Sequence, residues 1–289
     1  MWGVPRRFPM SQTIYMPYRN FAERTRIEYL NDLEDLVEFL EKSGINKVRK
    51  LELAHIERYL AELERRGFAG ATRKRKTVTI RSFLKFLYND RYIVTNLAKY
   101  VIPPFVDSKM PAYLTEAEYN RLRDACAGNV RDAAIIELLL QTGIRLSELT
   151  RLTIEDIEYA ENGGFIRVVD GRGRKGRVLP LNTNACEALK AYLTGRPDIR
   201  SSNLFLNRFG EPFMARGIQK MVRKHMTEAG IMKGSVHSLR HTFGLYHVIK
   251  GTNLKTIKEI LGHKDLRSTS VYLALAKILM SKELQQHAL

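Results

Sequence analysis

SVHSLRHTFGLYHVIKGTNLKTIKEILGHKDLRSTSVY, residues 235–272, is the stretch whose reading decides the fold. Apolar residues at three- and four-residue spacing predict short helices over roughly 240–250, 254–261 and 268–279, separated by Gly and Asn. The same window gathers His237, Arg240, His241, His247, His263, Arg267 and Tyr272. Basic and imidazole donors crowded before a tyrosine suit a site that grips a phosphate. His237 and Arg240, three apart at a helix start, share a face where the helix terminus adds positive charge. His237 and His241 have the i, i+4 spacing of a zinc pair, but Ser238 stands where that motif has Glu and Arg240 lies between them. No metal and no cofactor is expected.

Upstream, LTEAEYNRLRDAC has Thr115 as an N-cap with Glu118 in the capping-box position, which starts a new helix. RDAAIIELLLQTGIRLSELTRLTIEDIE then predicts a buried helix ending at Gly143 and a second helix capped by Ser147. Between them Arg145 presents a planar fork that can donate to two phosphate oxygens or pair with Glu148. FIRVVDGRGRKGRVLPL predicts a β-hairpin, with Val168 and Val169 answering Val178 and Leu179 and with Arg172, Arg174, Lys175 and Arg177 at its tip. Further helices are expected near 183–193 and 216–229, so this part of the chain is mainly α with one small sheet.

Toward the N-terminus, YVIPPFVDSKMPAYL holds Pro103, Pro104 and Pro111, which forbid a continuing helix and mark a domain boundary. Before it lie amphipathic helices over 26–42, with Ile27, Leu30, Leu33, Val37 and Leu40 on the apolar face, and over 51–67, with Leu53, Ile56, Leu60 and Leu63. A third helix, capped by Thr72, carries seven basic residues against one acidic over 73–91. Ile80, Phe83, Leu84 and Leu87 form its buried face. That reading leaves Arg73, Lys74, Arg75, Lys76 and Arg81 free to meet phosphates.

The net charge of +17 is more than a fold requires and favours a polyanion partner through counterion release, so double-stranded DNA is expected. Cys126 and Cys186 are single residues in apolar helical contexts, which encodes no disulfide framework and fits a reducing cytoplasm. No segment has the apolar length of a membrane helix, and the N-terminus has no secretion signal, so a soluble cytoplasmic, nucleoid-associated protein is expected.

TGIRLSEL, the hairpin RVVDGRGRKGRVLPL, HSLRHTF and LGHKDLRSTSVY, in this order, resemble the tyrosine recombinase (phage integrase) family, and its small Xer-type members most. The resemblance covers nearly the whole chain. It implies a two-domain DNA clamp: an N-terminal four-helix core-binding bundle over 15–105 and a mostly helical catalytic domain with a small antiparallel sheet over 110–289. It implies a site-specific DNA recombinase in which Arg145 and Arg240 clamp the scissile phosphate, His237 and His263 hydrogen-bond it, and Tyr272 forms a 3′-phosphotyrosyl link. The partners implied are a DNA recombination site and a homo-tetramer, or a hetero-tetramer with a related recombinase, with the C-terminal helix docking on a neighbour. No arm-type domain precedes residue 15, which leans toward simple Xer-like sites. The family's hairpin lysine falls on Arg172 here. Arginine holds its proton too tightly to serve as a general acid, so Lys175 is the expected acid, with Arg172, Arg174 and Arg177 on DNA. The rival readings are a type IB topoisomerase-like enzyme, an inactive sequence-specific DNA-binding protein and, more distantly, a metal-dependent nuclease.

Overall fold

Backbone contacts divide the chain into two units, Met1–Ser108 and Lys109–Leu289. The computed structural model describes residues 23–107, 110–170, 174–197 and 199–286. Among these no helix is long and apolar enough to cross a membrane.

The first unit is helical: α1 (Glu23–Lys42), α2 (Leu53–Arg65) and α3 (Gly70–Asn89), with single 3-10 turns at Val48–Lys50 and Leu97–Lys99. Leu33, Leu36, Leu40, Ile56, Tyr59, Leu63, Ile80, Phe83, Leu84 and Leu87 form its core. Ile27, at 53% exposure, and Val37 are not part of it, and Leu36 fills the stripe instead. Thr72 is inside α3, whose N-cap is Ala69 without a side-chain cap, so packing rather than capping sets that helix start.

The basic run on α3 is not a uniformly free face. Lys76 is buried, with Nζ 2.7 Å from Asp35 and 3.3 Å from Asp32. Arg75 pairs with Asp32 and Glu28, and Arg73 with Glu64. Tyr59 and Arg66 also donate to Asp35. Burial would raise the Asp35 carboxyl, but the bonds from Lys76, Arg66 and Tyr59 hold it down at about 2. Lys74 and Arg81 are exposed, with no ion pair among the described residues.

The second unit contains α4 (Glu116–Cys126), α5 (Val130–Thr142), α6 (Leu146–Leu149), strands β1 (Ile157–Ala160), β2 (Gly163–Asp170) and β3 (Arg174–Leu181), then α7 (Thr183–Thr194), α8 (Ala215–Glu228), α9 (Val236–Ile249), α10 (Leu254–Leu261) and α11 (Arg267–Gln286). The capping box forms: Glu118 Oε2 accepts from the Thr115 N–H at 2.8 Å, and Thr115 caps the Glu118 N–H. Ser147 does not cap α6; the helix begins earlier, with Arg145 at the N-cap. A core of α4, α5, α7, α8 and the sheet's inner face runs through Ile135, Leu139, Ile166, Leu179, Leu189 and Val222.

The sheet is antiparallel in the order β1-β2-β3. Its register differs from the expected one: Ile166 lies opposite Leu179, Arg167 opposite Val178 and Val168 opposite Arg177. Alternation explains the shift, since Ile166, Val168 and Leu179 are buried whereas Val169 and Val178 are exposed. This register turns Arg177 to the inner face.

Candidate active site

The centre of the site is the C-terminal end of α10. The last carbonyls of a helix have no intrahelical partner and carry the negative end of its dipole. Here Ile260, Leu261 and Gly262 each give a carbonyl to a different arginine: Arg177 Nε donates to Ile260 at 2.7 Å, Arg240 Nη2 to Leu261 at 2.5 Å, and Arg145 Nη2 to Gly262. Gly262 is required twice over. Its φ of +62° is left-handed, and a Cβ there would lie 2.9 Å from Arg145 Nη1 and 3.0 Å from Arg177 Nη1.

Glu148 joins two of these guanidiniums. Arg177 donates to both its carboxylate oxygens, at 2.9 and 2.8 Å, while Arg145 adds its backbone N–H at 3.0 Å and Nη1 at 2.8 Å. Burial alone would raise this carboxyl, but the Arg177 bonds, followed by those of Arg145, hold it at about 2. Arg240 is buried on α9 and also donates to the Gly143 carbonyl at 2.5 Å. Burial, and then Arg145, bring its guanidinium down to about 10, still protonated at neutral pH. Three guanidiniums around one carboxylate leave an excess of positive charge at this helix terminus.

Two histidines and the tyrosine complete the cluster. His263 follows Gly262, and its Nδ1 lies 2.9 Å from the buried Thr269 hydroxyl, which leaves Nε2 for the site. Burial, then Arg240 and Arg145, push its imidazole down to about 4, so the ring is neutral at physiological pH. Tyr272 on α11 is 1% exposed and packs with Phe243, Leu261 and Leu275. Its ring stacks on His263 at 6.4 Å, and its hydroxyl meets His241 Nδ1 at 3.0 Å. Gly244 makes the room, because a Cβ there would come within 2.6 Å of the Tyr272 ring. His237 is exposed in the first turn of α9, which Ser235 caps.

The His263 environment has a measurable consequence. The unfolded chain takes up this proton near the ordinary value of 6.5 and the folded chain only near 4. The stability contributed by the neutral ring is therefore complete above about pH 6.5 and lost as pH falls to about 4. His241 and His247, also held low by burial, add to the slope. Urea midpoints should fall over this window, and less steeply in H263Q; equal slopes in the two proteins would contradict the assignment.

The residues 112–278 match the Phage integrase family, and 14–91 match the phage integrase N-terminal SAM-like domain. The chain belongs to the phage integrase family. This integrase-family chain is 30% identical over 286 residues to tyrosine recombinase XerC of Bacillus subtilis (strain 168), covering 93% of this chain and 91% of that one. It is 31% identical to XerC of Listeria innocua, covering 93% of each. The crystal structure of XerA recombinase superimposes with a TM-score of 0.57 at 29% identity over 95% of both chains. The post-cleavage complex of XerH on its palindromic difH substrate has the same fold, with a TM-score of 0.76 at 20% identity over 92% of this chain and 80% of that one. The chain is a tyrosine site-specific recombinase.

In this recombinase the fold brings Arg145, Arg240, His263 and Tyr272 together with Arg177, which the sequence reading placed on DNA. Arg172 lies outside the described residues, as do the side chains of Arg174 and Lys175, whose backbones belong to β3. Arg73, Lys74, Arg75, Lys76 and Arg81 belong to the N-terminal unit. Three participants escaped the sequence reading: Glu148, read only as an alternative partner of Arg145; Thr269, which fixes His263; and His241, considered in the sequence only as a zinc partner of His237. The i, i+3 spacing of His241 and Gly244 on one face of α9 was the available signal for a tyrosine seat.

Proposed function

We propose that this recombinase cuts and rejoins double-stranded DNA one strand at a time through a 3′-phosphotyrosyl bond at Tyr272. The observation that carries the reading is the convergence of Arg145, Arg177 and Arg240 on the α10 terminus beside His263 and Tyr272. Without DNA the guanidiniums satisfy main-chain carbonyls and Glu148. A scissile phosphate offers Arg145 and Arg240 better acceptors, and both gain as negative charge builds on the non-bridging oxygens. His237 and His263 donate to the same oxygens. Lys175 gives its proton to the departing 5′-oxygen, and the phosphotyrosyl ester keeps the bond energy so that a second strand's 5′-hydroxyl can reseal it. Glu148 and Arg177 hold Arg145 in place.

The domains divide the work at 15–105, which grips the core of the DNA site, and 110–289, which carries the chemistry. Relatives solved on their recombination substrates support DNA as the partner. By the same likeness the active assembly is a tetramer on a recombination site, of this chain alone or with a related recombinase, at the nucleoid in the cytoplasm, with chromosome-dimer resolution or mobile-element integration and excision as the outcome.

The test is covalent capture. Wild-type chain is incubated in excess chelator with sheared, nicked genomic DNA of the source organism, where the cut fragment diffuses away and the adduct persists. A protein–DNA band in denaturing gels, enriched for one sequence, is expected. No band supports the inactive DNA-binding reading, a band only when metal is supplied contradicts the metal-free chemistry, and adducts spread without sequence preference indicate a topoisomerase-like enzyme.

The N-terminal cations separate by role. Lys74→Ala and Arg81→Ala should each reduce the slope of log affinity against log salt by about one, because each removes an exposed phosphate contact. Lys76→Ala should instead cost about 1–3 kcal/mol of stability in urea melts, because Asp32 and Asp35 lose their buried cation and keep Arg75, Arg66 and Tyr59. Unchanged salt slopes in the first two would remove Lys74 and Arg81 from the interface.

A further inference from the structure

The Tyr272 hydroxyl must lose a proton as its oxygen attacks phosphorus, and nothing in the arginine cluster takes one. Guanidiniums are donors only. The His263 Nδ1 is occupied by Thr269, and its ring lies parallel to the tyrosine ring, at 22°, rather than end-on to the hydroxyl. His241 is placed differently: its Nδ1 is 3.0 Å from the hydroxyl oxygen, within proton-transfer reach. It sits one residue after Arg240 on α9, so the phosphate clamp and the phenol's partner move as one body. Gly244, one turn later, lets the tyrosine ring rest on the α9 backbone, which fixes the hydroxyl against His241.

We propose that His241 is the general base for Tyr272. This rests on the recombinase reading above. In the forward step the phenolic O–H bond breaks and its proton passes to the lone pair on Nδ1, giving imidazolium. The phenolic oxygen bonds to phosphorus, the P–O5′ bond breaks, and the departing 5′-oxygen takes its proton from Lys175. Rejoining runs in reverse, with His241 returning the proton to the tyrosine oxygen. Burial, with His237 and Arg240, holds the His241 imidazole below its ordinary value, so the ring is neutral and its lone pair available. The groups facing His241 are Arg240 and His237 on α9 and Tyr272 on α11, and His263 lies across the tyrosine ring.

Two measurements test it on the full chain. In the free protein, nitrogen NMR should find His241 as the Nε2–H tautomer with Nδ1 accepting; an Nδ1–H tautomer would overturn the proposal. The second uses the nicked duplex recovered by covalent capture and compares wild type with His241→Asn, whose amide oxygen stands near the position of Nδ1, accepts the phenol hydrogen bond and cannot take the proton. Adduct formation should slow by about 10²–10⁴-fold with binding and melting temperature kept. Replacing Tyr272 in that variant by a fluorinated tyrosine already ionised near neutral pH should recover most of the lost rate, which a merely structural role for His241 would not allow. A His241→Asn rate within about threefold of wild type, or no recovery with the fluorinated tyrosine, overturns the proposal. Wild type forming no adduct overturns the recombinase reading with it, whereas an adduct in wild type and an unimpaired variant overturns only the role of His241.

Discussion

Replacing Tyr272 by phenylalanine is expected to abolish covalent capture of DNA while leaving the chain folded and bound to the duplex. The ring is a core element, packed with Phe243, Leu261 and Leu275, and phenylalanine keeps that volume. Only the oxygen is lost. Its removal leaves the half-buried His241 without its partner, at a cost of about 1–3 kcal/mol visible in a urea melt. The arginines proposed to hold the phosphate are anchored to α10 and Glu148 rather than to Tyr272, so gel-shift affinity should change little. A variant that still forms adducts would remove Tyr272 as nucleophile. One that loses DNA binding as well would mean that the tyrosine organises the site rather than reacting in it.

Glu148→Ala carries the largest expected stability effect. The carboxylate is buried and answers both Arg145 and Arg177 through four hydrogen bonds. Removing one partner of a buried ionic group strands the others, at about 3–5 kcal/mol. For a unit of this size that is a fall in Tm of roughly 6–20 °C. Arg145→Ala makes the useful contrast. Its side chain is 38% exposed, so deleting it should cost less stability and more adduct formation than Glu148→Ala does under conditions where both remain folded. A Tm unchanged in Glu148→Ala would contradict the bracketing role given to this carboxylate.

Much of this was legible in the sequence because it is local. Thr115 and Glu118 announce a helix start within four residues, Gly143 a helix end, and the run from His237 to Tyr272 keeps its chemistry in order along 36 residues. What was not legible depends on distant partners. Lys76 reads as a free cation until Asp32 and Asp35, on a helix some forty residues earlier, take it inside. Arg177 reads as a hairpin-tip cation until strand register turns it inward, and register turns on which valines are buried, a choice that Val168-Val169 and Val178-Leu179 leave open to inspection. β1 is four residues with little burial, too short for an alternation signal. His241 reads only as a rejected zinc partner of His237 until α11 delivers Tyr272 to it.

The most direct test of the central claim is to map the covalent bond. The adduct trapped on nicked DNA is digested with protease and nuclease, and the nucleotide-bearing peptide is sequenced by mass spectrometry. A nucleotide joined through its 3′-phosphate to Tyr272 is the predicted result; attachment to another residue, attachment through a 5′-phosphate, or no covalent peptide at all would contradict it.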